Sequence, residues 1–174
     1  MGMFVNPGNS AFQVALNSEI YVDKTGLLEY TNKVMNTLQG YICNSRPRRF
    51  GKSITANMLT AYYSKGCDSK EMFSNLEISK TPDFEKRLNK YDVIKINMQE
   101  YLSMSESVED MLSILQMRLI KDLKSAYPEV VSSDRLIFAM QDVFAETKCQ
   151  FVILIDEWDC LFREYKQDKE VQKK

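Results

Sequence analysis

Two short groups of side chains, about a hundred residues apart, could together bind a phosphorylated ligand. Gly51, Lys52 and Ser53 have the types and the order that close a phosphate-binding loop of the pattern G-x-x-x-x-G-K-[ST]. In such a loop, backbone N–H groups at a helix start hold the phosphates, the lysine reaches the outer ones and the hydroxyl binds Mg²⁺. Asp156 and Glu157 follow an apolar run, where the aspartate would orient the same Mg²⁺ and the glutamate would polarise an attacking water.

The loop departs from this pattern at its first position. Arg46 stands where the first glycine belongs, and Arg48 and Arg49 add two further cations. Arginine forks suit any phosphate, so these three side chains could contact a nucleotide or form a nucleic-acid patch. Each group also has an ordinary interpretation, since G-K-S can simply start a helix and Asp-Glu can be a solvated turn. Their joint occurrence favours a nucleoside triphosphate with Mg²⁺.

Three short apolar segments are predicted as strands of a mainly parallel sheet. They are residues 41–44 before the loop, residues 92–97, and residues 151–155 before the acids. The last segment is unbroken in its apolar character, so we expect it to be buried on both faces. Helices are predicted between the strands, which gives an α/β fold. Both functional groups then lie at the carboxyl ends of strands, the edge where open α/β sheets bind ligands.

Apolar residues at helical spacing predict the helices that cover this sheet. The first runs from Asp23 to Gly40 and bears Leu27, Leu28, Val34 and Leu38, and the second follows the loop and bears Ile54, Met58, Leu59 and Tyr62. A short helix is predicted after Thr81 and Pro82, a long one from Ser107 to Tyr127, and a last one capped by Ser133.

The composition predicts one domain of 174 residues, 44 % apolar and 27 % charged, with a net charge of −1. This charge gives no overall attraction to nucleic acid or to an anionic membrane. No apolar run is long enough to span a bilayer and no signal peptide is evident, so we predict a cytoplasmic protein without membrane contact. The chain has no histidine, which excludes histidine-dependent nucleophiles and metal sites. Its four cysteines form no C-x-x-C pair, which argues against a zinc site.

Three motifs, in this order, resemble the predicted AAA-ATPase-like family of bacteria. They are Y-V-D-K-T at residues 21–25, R-P-R-R-F-G-K-S at 46–53 and I-D-E-W-D at 155–159. The similarity runs from about Phe12 to Phe162. Arg46 matches the family's own loop, whereas Trp158 stands where the family usually has tyrosine. The resemblance implies a site with these roles: Arg46, Arg48, Arg49, Gly51, Lys52 and Ser53 bind ATP, Ser53 and Asp156 hold Mg²⁺, and Glu157 is catalytic.

The resemblance also implies a P-loop NTPase-like three-layer sandwich. Full members of the family resemble two-part proteins, in which a restriction-type nuclease domain follows the ATPase-like lobe. This chain ends soon after the acidic motif, so we expect a truncated lobe with an incomplete sheet. We divide it into an N-terminal extension with a helix over residues 1–40, an αβ core over 41–165 and a polar tail over 166–174. Unless the first and third strands pair directly, residues 1–21, a second copy or a partner protein should fill the empty strand position.

Two classes of function follow from this interpretation. The lobe lacks the later strand with its γ-phosphate sensor, so we predict residual ATPase activity at most. The first hypothesis is a stand-alone protein-binding module of a bacterium or phage, and its short form resembles anti-CRISPR inhibitors that block RNA-guided nucleases. The alternative is the ATP- and Mg-binding front of a bacterial AAA-like ATPase linked to a restriction-like nuclease. A protein partner is expected, and a homodimer or a nucleic-acid contact through the loop arginines stays open.

Overall fold

The computed structural model describes residues 2–45 and 50–164. Its helices and strands, in chain order, are α1 (Ser10–Leu16), α2 (Gly26–Val34), α3 (Lys52–Tyr63), α4 (Lys70–Phe73), a 3₁₀ helix (Glu77–Lys80), α5 (Phe84–Arg87), β1 (Asp92–Asn97), α6 (Met98–Ser103), α7 (Val108–Ala126), α8 (Leu136–Thr147), β2 (Phe151–Asp156) and α9 (Cys160–Glu164).

The sheet of the described residues consists of β1 and β2, which pair in parallel from Asp92 opposite Phe151 to Asn97 opposite Asp156. Both strands lie where the apolar segments predicted them. The chain crosses from β1 to β2 through α6, α7 and α8. Parallel strands need a crossover of this kind, because a tight turn can join only antiparallel strands. The two strands therefore end at the same edge of the sheet, which we call the carboxyl edge.

The N-terminal segment occupies the other side of β1. Val5 forms an antiparallel bridge with Ile94, and hydrogen bonds of 2.9 and 2.7 Å run from Lys95 N to the Phe4 carbonyl and from Asn6 N to the Val93 carbonyl. The start of the chain was one of the segments expected to fill a vacant strand position. It does so for β1 and leaves the outer side of β2 without a partner strand in the part of the chain that the structure describes.

The predicted strand at residues 41–44 is wrong. The structure gives this segment no regular secondary structure, and the side chain of Tyr41 is 96 % exposed. A strand is stable only when a neighbour takes up its backbone hydrogen bonds, and an apolar, β-branched composition does not supply that neighbour. The short apolar run therefore lies on the surface just before the loop.

Helices pack on both faces of the sheet. On one face, Val93, with Val152 and Leu154 packed against it, belongs to a core formed with α1 to α5. On the other face, Ile94 and Ile96, with Phe151 beside them, form a second core with α6, α7 and α8. This arrangement agrees with an α/β fold. The division into one lobe with an extension and a tail stays a prediction, and residues 166–174 lie outside the described residues.

The expectation that β2 is buried on both faces is also wrong. Ile153 and Ile155 point to the same face, and each side chain is 51 % exposed. An unbroken apolar run is typical of a central strand, whereas in the described ranges β2 has a strand on only one side. Part of its apolar surface is therefore left in contact with water.

Helix boundaries follow the sequence where capping groups are clear. Ser107 accepts a hydrogen bond from Asp110 N at 3.1 Å and caps α7, which begins where it was predicted. The predicted cap of the next helix is wrong, because Arg135 and not Ser133 is the N-cap residue of α8. By contrast, α2 ends at Val34 and not near Gly40, because Met35 leaves the helical conformation with a ψ of 136° and Asn36 follows with a φ of 64°. Leu38 then lies beyond the helix and is exposed. No described helix combines the length and the apolar character that crossing a bilayer requires.

Candidate phosphate-binding site

The first turn of α3 has the backbone geometry of an anion site. Gly51 is its N-cap residue and has a φ of 76°, a left-handed conformation that costs glycine little. The Gly51 carbonyl accepts from Thr55 N at 2.9 Å, which closes the first turn. Among the residues that the structure describes, no side-chain hydrogen bond caps this helix end. The first N–H groups of α3 therefore point out of the helix, where the helix dipole favours an anion.

The structure describes part of the predicted loop. Lys52 is half-buried and Ser53 is exposed in the first turn of α3. Arg46, Arg48 and Arg49 lie outside the described residues, so their predicted contacts with phosphate stay predictions.

Helix α3 lies against the face of the sheet that carries Val93, and it runs antiparallel to the strands. At its C-terminal end, Ser64 bridges Tyr91 just before β1, and Lys65 N donates to the Tyr91 carbonyl at 2.9 Å. Halfway along, the Lys95 ammonium donates to Asn57 Oδ1. The first turn of α3 must then lie towards the carboxyl edge. Lys52 and Ser53 are thus at the same end of the sheet as Asp156.

The acidic pair forms a strained turn at the end of β2. Asp156 is the last residue of β2, opposite Asn97, and its Oδ1 accepts from Glu157 N at 3.0 Å. Glu157 has a φ of 52°, in the left-handed region that side-chain-bearing residues rarely adopt. The carboxylate of Glu157 accepts from Arg163 Nη1 of α9 at 2.8 Å. The proposed catalytic carboxylate is therefore already engaged in an ion pair.

Lys95 is a residue of this region that the sequence analysis did not single out. It lies on β1, two residues before Asn97, and is bonded to Asn57 of α3. Burial lowers the pKa of the Lys95 ammonium, and the nearby carboxylates of Asp156 and Glu100 oppose that shift. A lysine in the middle of an apolar strand was the available sequence signal, because strand interiors seldom hold an unpaired charge. Lys95 places a cation between α3 and the acidic end of β2.

The Y-V-D-K-T motif lies against the loop and against the rest of the fold. Lys24 Nζ donates to the Phe50 carbonyl at 3.3 Å, and a Cβ built on Gly51 would come within 2.7 Å of that ammonium. Asp23 accepts from Thr25 N and from Glu77 N, each at 2.8 Å, and so joins α2 to the 3₁₀ helix. The motif thus places a lysine beside the phosphate loop, a position that the sequence analysis did not predict.

The residues at the carboxyl edge fit Mg²⁺ together with phosphate oxygens. Ser53 offers a hydroxyl and Asp156 a carboxylate, both of which are oxygen ligands of the type that Mg²⁺ prefers. Mg²⁺ commonly takes one or two protein ligands and fills its other positions with phosphate and water. Among the described residues, no three acidic or cysteine side chains are grouped so that they could hold a metal by themselves. The described residues therefore offer single oxygen donors at this edge and no self-sufficient metal site.

A comparison with protein-family models finds one that matches residues 8–174 and describes a predicted AAA-ATPase. The chain belongs to this AAA-ATPase-like family. The match spans the Y-V-D-K-T motif, the loop and the acidic turn, so the elements that meet at the carboxyl edge all lie within the family's region. Searches among curated proteins and among solved structures returned no match.

Membership of the AAA-ATPase-like family agrees with a nucleotide as the ligand of this edge. The structure brings Gly51, Lys52 and Ser53 to the end of the sheet that Asp156 and Glu157 occupy. It also adds cations from Lys95 and Lys24, together with the arginine of α9, to the residues expected from the sequence.

Proposed function

We propose that this member of the AAA-ATPase-like family binds a nucleoside triphosphate with Mg²⁺ at the carboxyl edge of its sheet. One observation supports this above all: the first turn of α3 and the acidic end of β2 lie at the same edge. An N-terminal helix turn favours phosphate oxygens, and acidic residues favour the metal that accompanies them. Both parts of the site are needed, because the helix turn suits only the negative phosphates and the acidic residues suit only the positive metal.

Each residue then has a defined role. The amides that follow Gly51 hold the inner phosphates, and Lys52 reaches the outer ones. Ser53 and Asp156 contact Mg²⁺ directly or through water, and the metal, when bound, offsets the negative charge of the phosphates. The predicted arginine contacts of residues 46, 48 and 49 would add to the same phosphate group, and a nucleic-acid contact is the less favoured alternative.

Thermal or urea unfolding with and without Mg-ATP tests the proposal. We expect wild-type protein to gain about 2.7 kcal/mol when the free ligand is a hundredfold above its dissociation constant. Lys52→Ala should lose most of this gain, since the cation that reaches the outer phosphates is gone. Lys33→Ala is the matched control, because Lys33 is an exposed lysine of α2 away from the carboxyl edge, and it should respond as the wild type does. A wild-type protein without any shift at millimolar Mg-ATP would contradict the proposal.

A second function, binding of a partner protein, is favoured by the apolar surface on and after β2. Ile153 and Ile155 are half exposed, and so are Trp158 and Phe162, whose rings meet edge to face at 6.1 Å. An unpartnered strand edge beside exposed apolar side chains is typical of protein contact surfaces. The resemblance to anti-CRISPR inhibitors suggests an RNA-guided nuclease as the partner, and a second copy of the chain is the other candidate.

The protein-binding hypothesis is tested by DNA cleavage with purified CRISPR effectors into which the protein is titrated. We expect inhibition by the wild type and at least a tenfold loss of potency for Ile155→Lys, because a lysine charge must be desolvated on docking. Val14→Lys is the control, as Val14 is exposed on α1, and it should inhibit as the wild type does. Unimpaired cleavage across several effectors would contradict the inhibitor role, and gel filtration would then report whether a dimer forms.

A further inference from the structure

One arginine of α9 connects the turn after β2 with the start of α6, which follows β1. Arg163 Nη1 donates to Glu157 Oε2 at 2.8 Å and to the two oxygens of Asp159 at 3.1 and 3.2 Å. Its other terminal nitrogen, Nη2, donates to Gln99 Oε1 of α6 at 2.9 Å. The guanidinium is therefore held from the β2–α9 turn on one side and from the end of β1 on the other.

The pair between Arg163 and Glu157 is partly withdrawn from water. The two side chains are 25 % and 28 % exposed, so salt and solvent screen their attraction less than at an open surface. The backbone of Gln99 is itself held, since its backbone N–H donates to Asn97 Oδ1 at 3.1 Å. Several hydrogen bonds therefore fix the position of the Arg163 guanidinium.

The backbone of Glu157 also shows that this position is specifically held. Its φ of 52° is a left-handed conformation that a side-chain-bearing residue adopts at a cost of about 1–2 kcal/mol. Such conformations persist where surrounding contacts over-determine them, and they are common at functional sites. Here the contacts are the hydrogen bond from Glu157 N to Asp156 Oδ1 and the ion pair with Arg163.

We propose that Arg163 is a positioning residue that keeps the Glu157 carboxylate from polarising water, so that the bound triphosphate turns over slowly. This inference rests on the proposed nucleotide binding. In hydrolysis, a water oxygen bonds to the γ-phosphorus, the bond to the bridging oxygen of ADP breaks, and the proton of water passes to Glu157 and then to solvent. A carboxylate can take that proton only when one of its oxygens accepts a hydrogen bond from the water.

The ion pair opposes this step. It holds Glu157 Oε2 with a guanidinium that is itself fixed by Asp159 and Gln99, so the carboxylate must break the ion pair before it can turn towards a water. Removal of the guanidinium should therefore free the base while leaving the phosphate loop unchanged.

Steady-state ATPase measurements on full-length protein test the inference. We expect Arg163→Gln to raise kcat at least roughly tenfold and by no more than the 10²–10⁴-fold that a positioned base contributes, with KM unchanged. Arg163→Lys keeps a cation at the site and should stay closer to the wild type. The double variant Arg163→Gln with Glu157→Gln should lose the gain, because the freed base is then absent. Gln99→Ala, which removes one anchor of the guanidinium, should raise kcat in the same direction by a smaller factor.

The outcomes separate this inference from the proposed function. Arg163→Gln with nucleotide affinity like the wild type and an unchanged or lower kcat would overturn the inference alone. A tenfold rise in KM would overturn it too, since the arginine would then contact the nucleotide itself. Absence of nucleotide binding by the wild type would overturn the proposed function and the inference together. If Arg163→Gln does not fold, an unchanged kcat for a folded Gln99→Ala overturns the inference.

Discussion

We expect Asp92→Ala to lower the free energy of unfolding by about 3–5 kcal/mol, because the variant leaves buried donors without their acceptor. The Asp92 side chain is completely buried at the start of β1. It accepts hydrogen bonds from Lys65 Nζ at 2.8 Å, from Asn6 Nδ2 at 2.6 Å and from the Tyr127 hydroxyl. Urea unfolding followed by circular dichroism at pH 7 measures the loss.

The control for Asp92 is a carboxylate with an equally short ion pair at the surface. Asp134 accepts from Lys124 Nζ at 2.6 Å but is 90 % exposed, so Asp134→Ala should leave the unfolding curve almost unchanged. If Asp92→Ala and Asp134→Ala were equally stable, the buried network would contribute nothing and the prediction would be wrong.

The pH dependence of the unfolding free energy, measured for wild type and Asp92→Ala, gives an independent check. Burial raises the pKa of Asp92, but the hydrogen bonds from Lys65, Tyr127 and Asn6 outweigh burial, and the net pKa lies below its ordinary value. The unfolded chain, with an aspartate pKa of about 3.9, binds a proton first as the pH falls. The stability that Asp92 contributes is therefore complete above about pH 4 and is lost as the pH falls through its folded pKa. The difference between wild type and Asp92→Ala should shrink accordingly.

The second large effect is expected for Phe73→Ala, which should cost about 3–5 kcal/mol through loss of apolar contacts and the cavity left behind. Phe73 is completely buried in the core on the α3 side of the sheet. Its ring stacks on Phe12 at 5.2 Å and meets the edge of Tyr62 at 5.4 Å. Because Tyr62 belongs to α3, the cavity lies beside the helix that carries the phosphate loop.

Phe138→Ala is the matched control for Phe73→Ala. Phe138 is a phenylalanine of α8 with a half-exposed side chain, so the same truncation removes less buried surface and leaves no closed cavity. Chemical denaturation of the two variants should show a difference of at least 2 kcal/mol. Equal midpoints and slopes for both would show that the core around Phe73 relaxes to fill the space.

Local sequence patterns predicted the helices and strands that are specified by residues close to one another along the chain. The apolar runs gave β1 and β2, and Ser107 gave the start of α7 through a bond that spans three residues. Such interactions depend on spacing along the chain, so one sequence suffices to find them. The resemblance to the family, whose model matches residues 8–174, likewise needs only residue types and order.

The errors occurred where the outcome depends on a distant partner. Residues 41–44 have the composition of a strand but no described neighbour pairs with them, and half of the side-chain surface of Ile153 is exposed for the same reason. The composition of a segment states how well it would fit a sheet, and not whether a place in a sheet is available. Leu38 was misplaced because Met35 and the left-handed Asn36 depart from helical geometry, so that α2 ends early.

The sequence by itself determined the α/β character, the two paired strands and the residue types that a phosphate ligand requires. Only the tertiary structure decided that Lys95 lies between α3 and Asp156, that Lys24 lies on the loop, and that Arg163 holds Glu157. Lys95 and Asn57 are 38 residues apart, and Arg163 and Gln99 are 64 apart. Contacts across such separations arise from the packing of whole elements, which residue spacing along one chain does not encode.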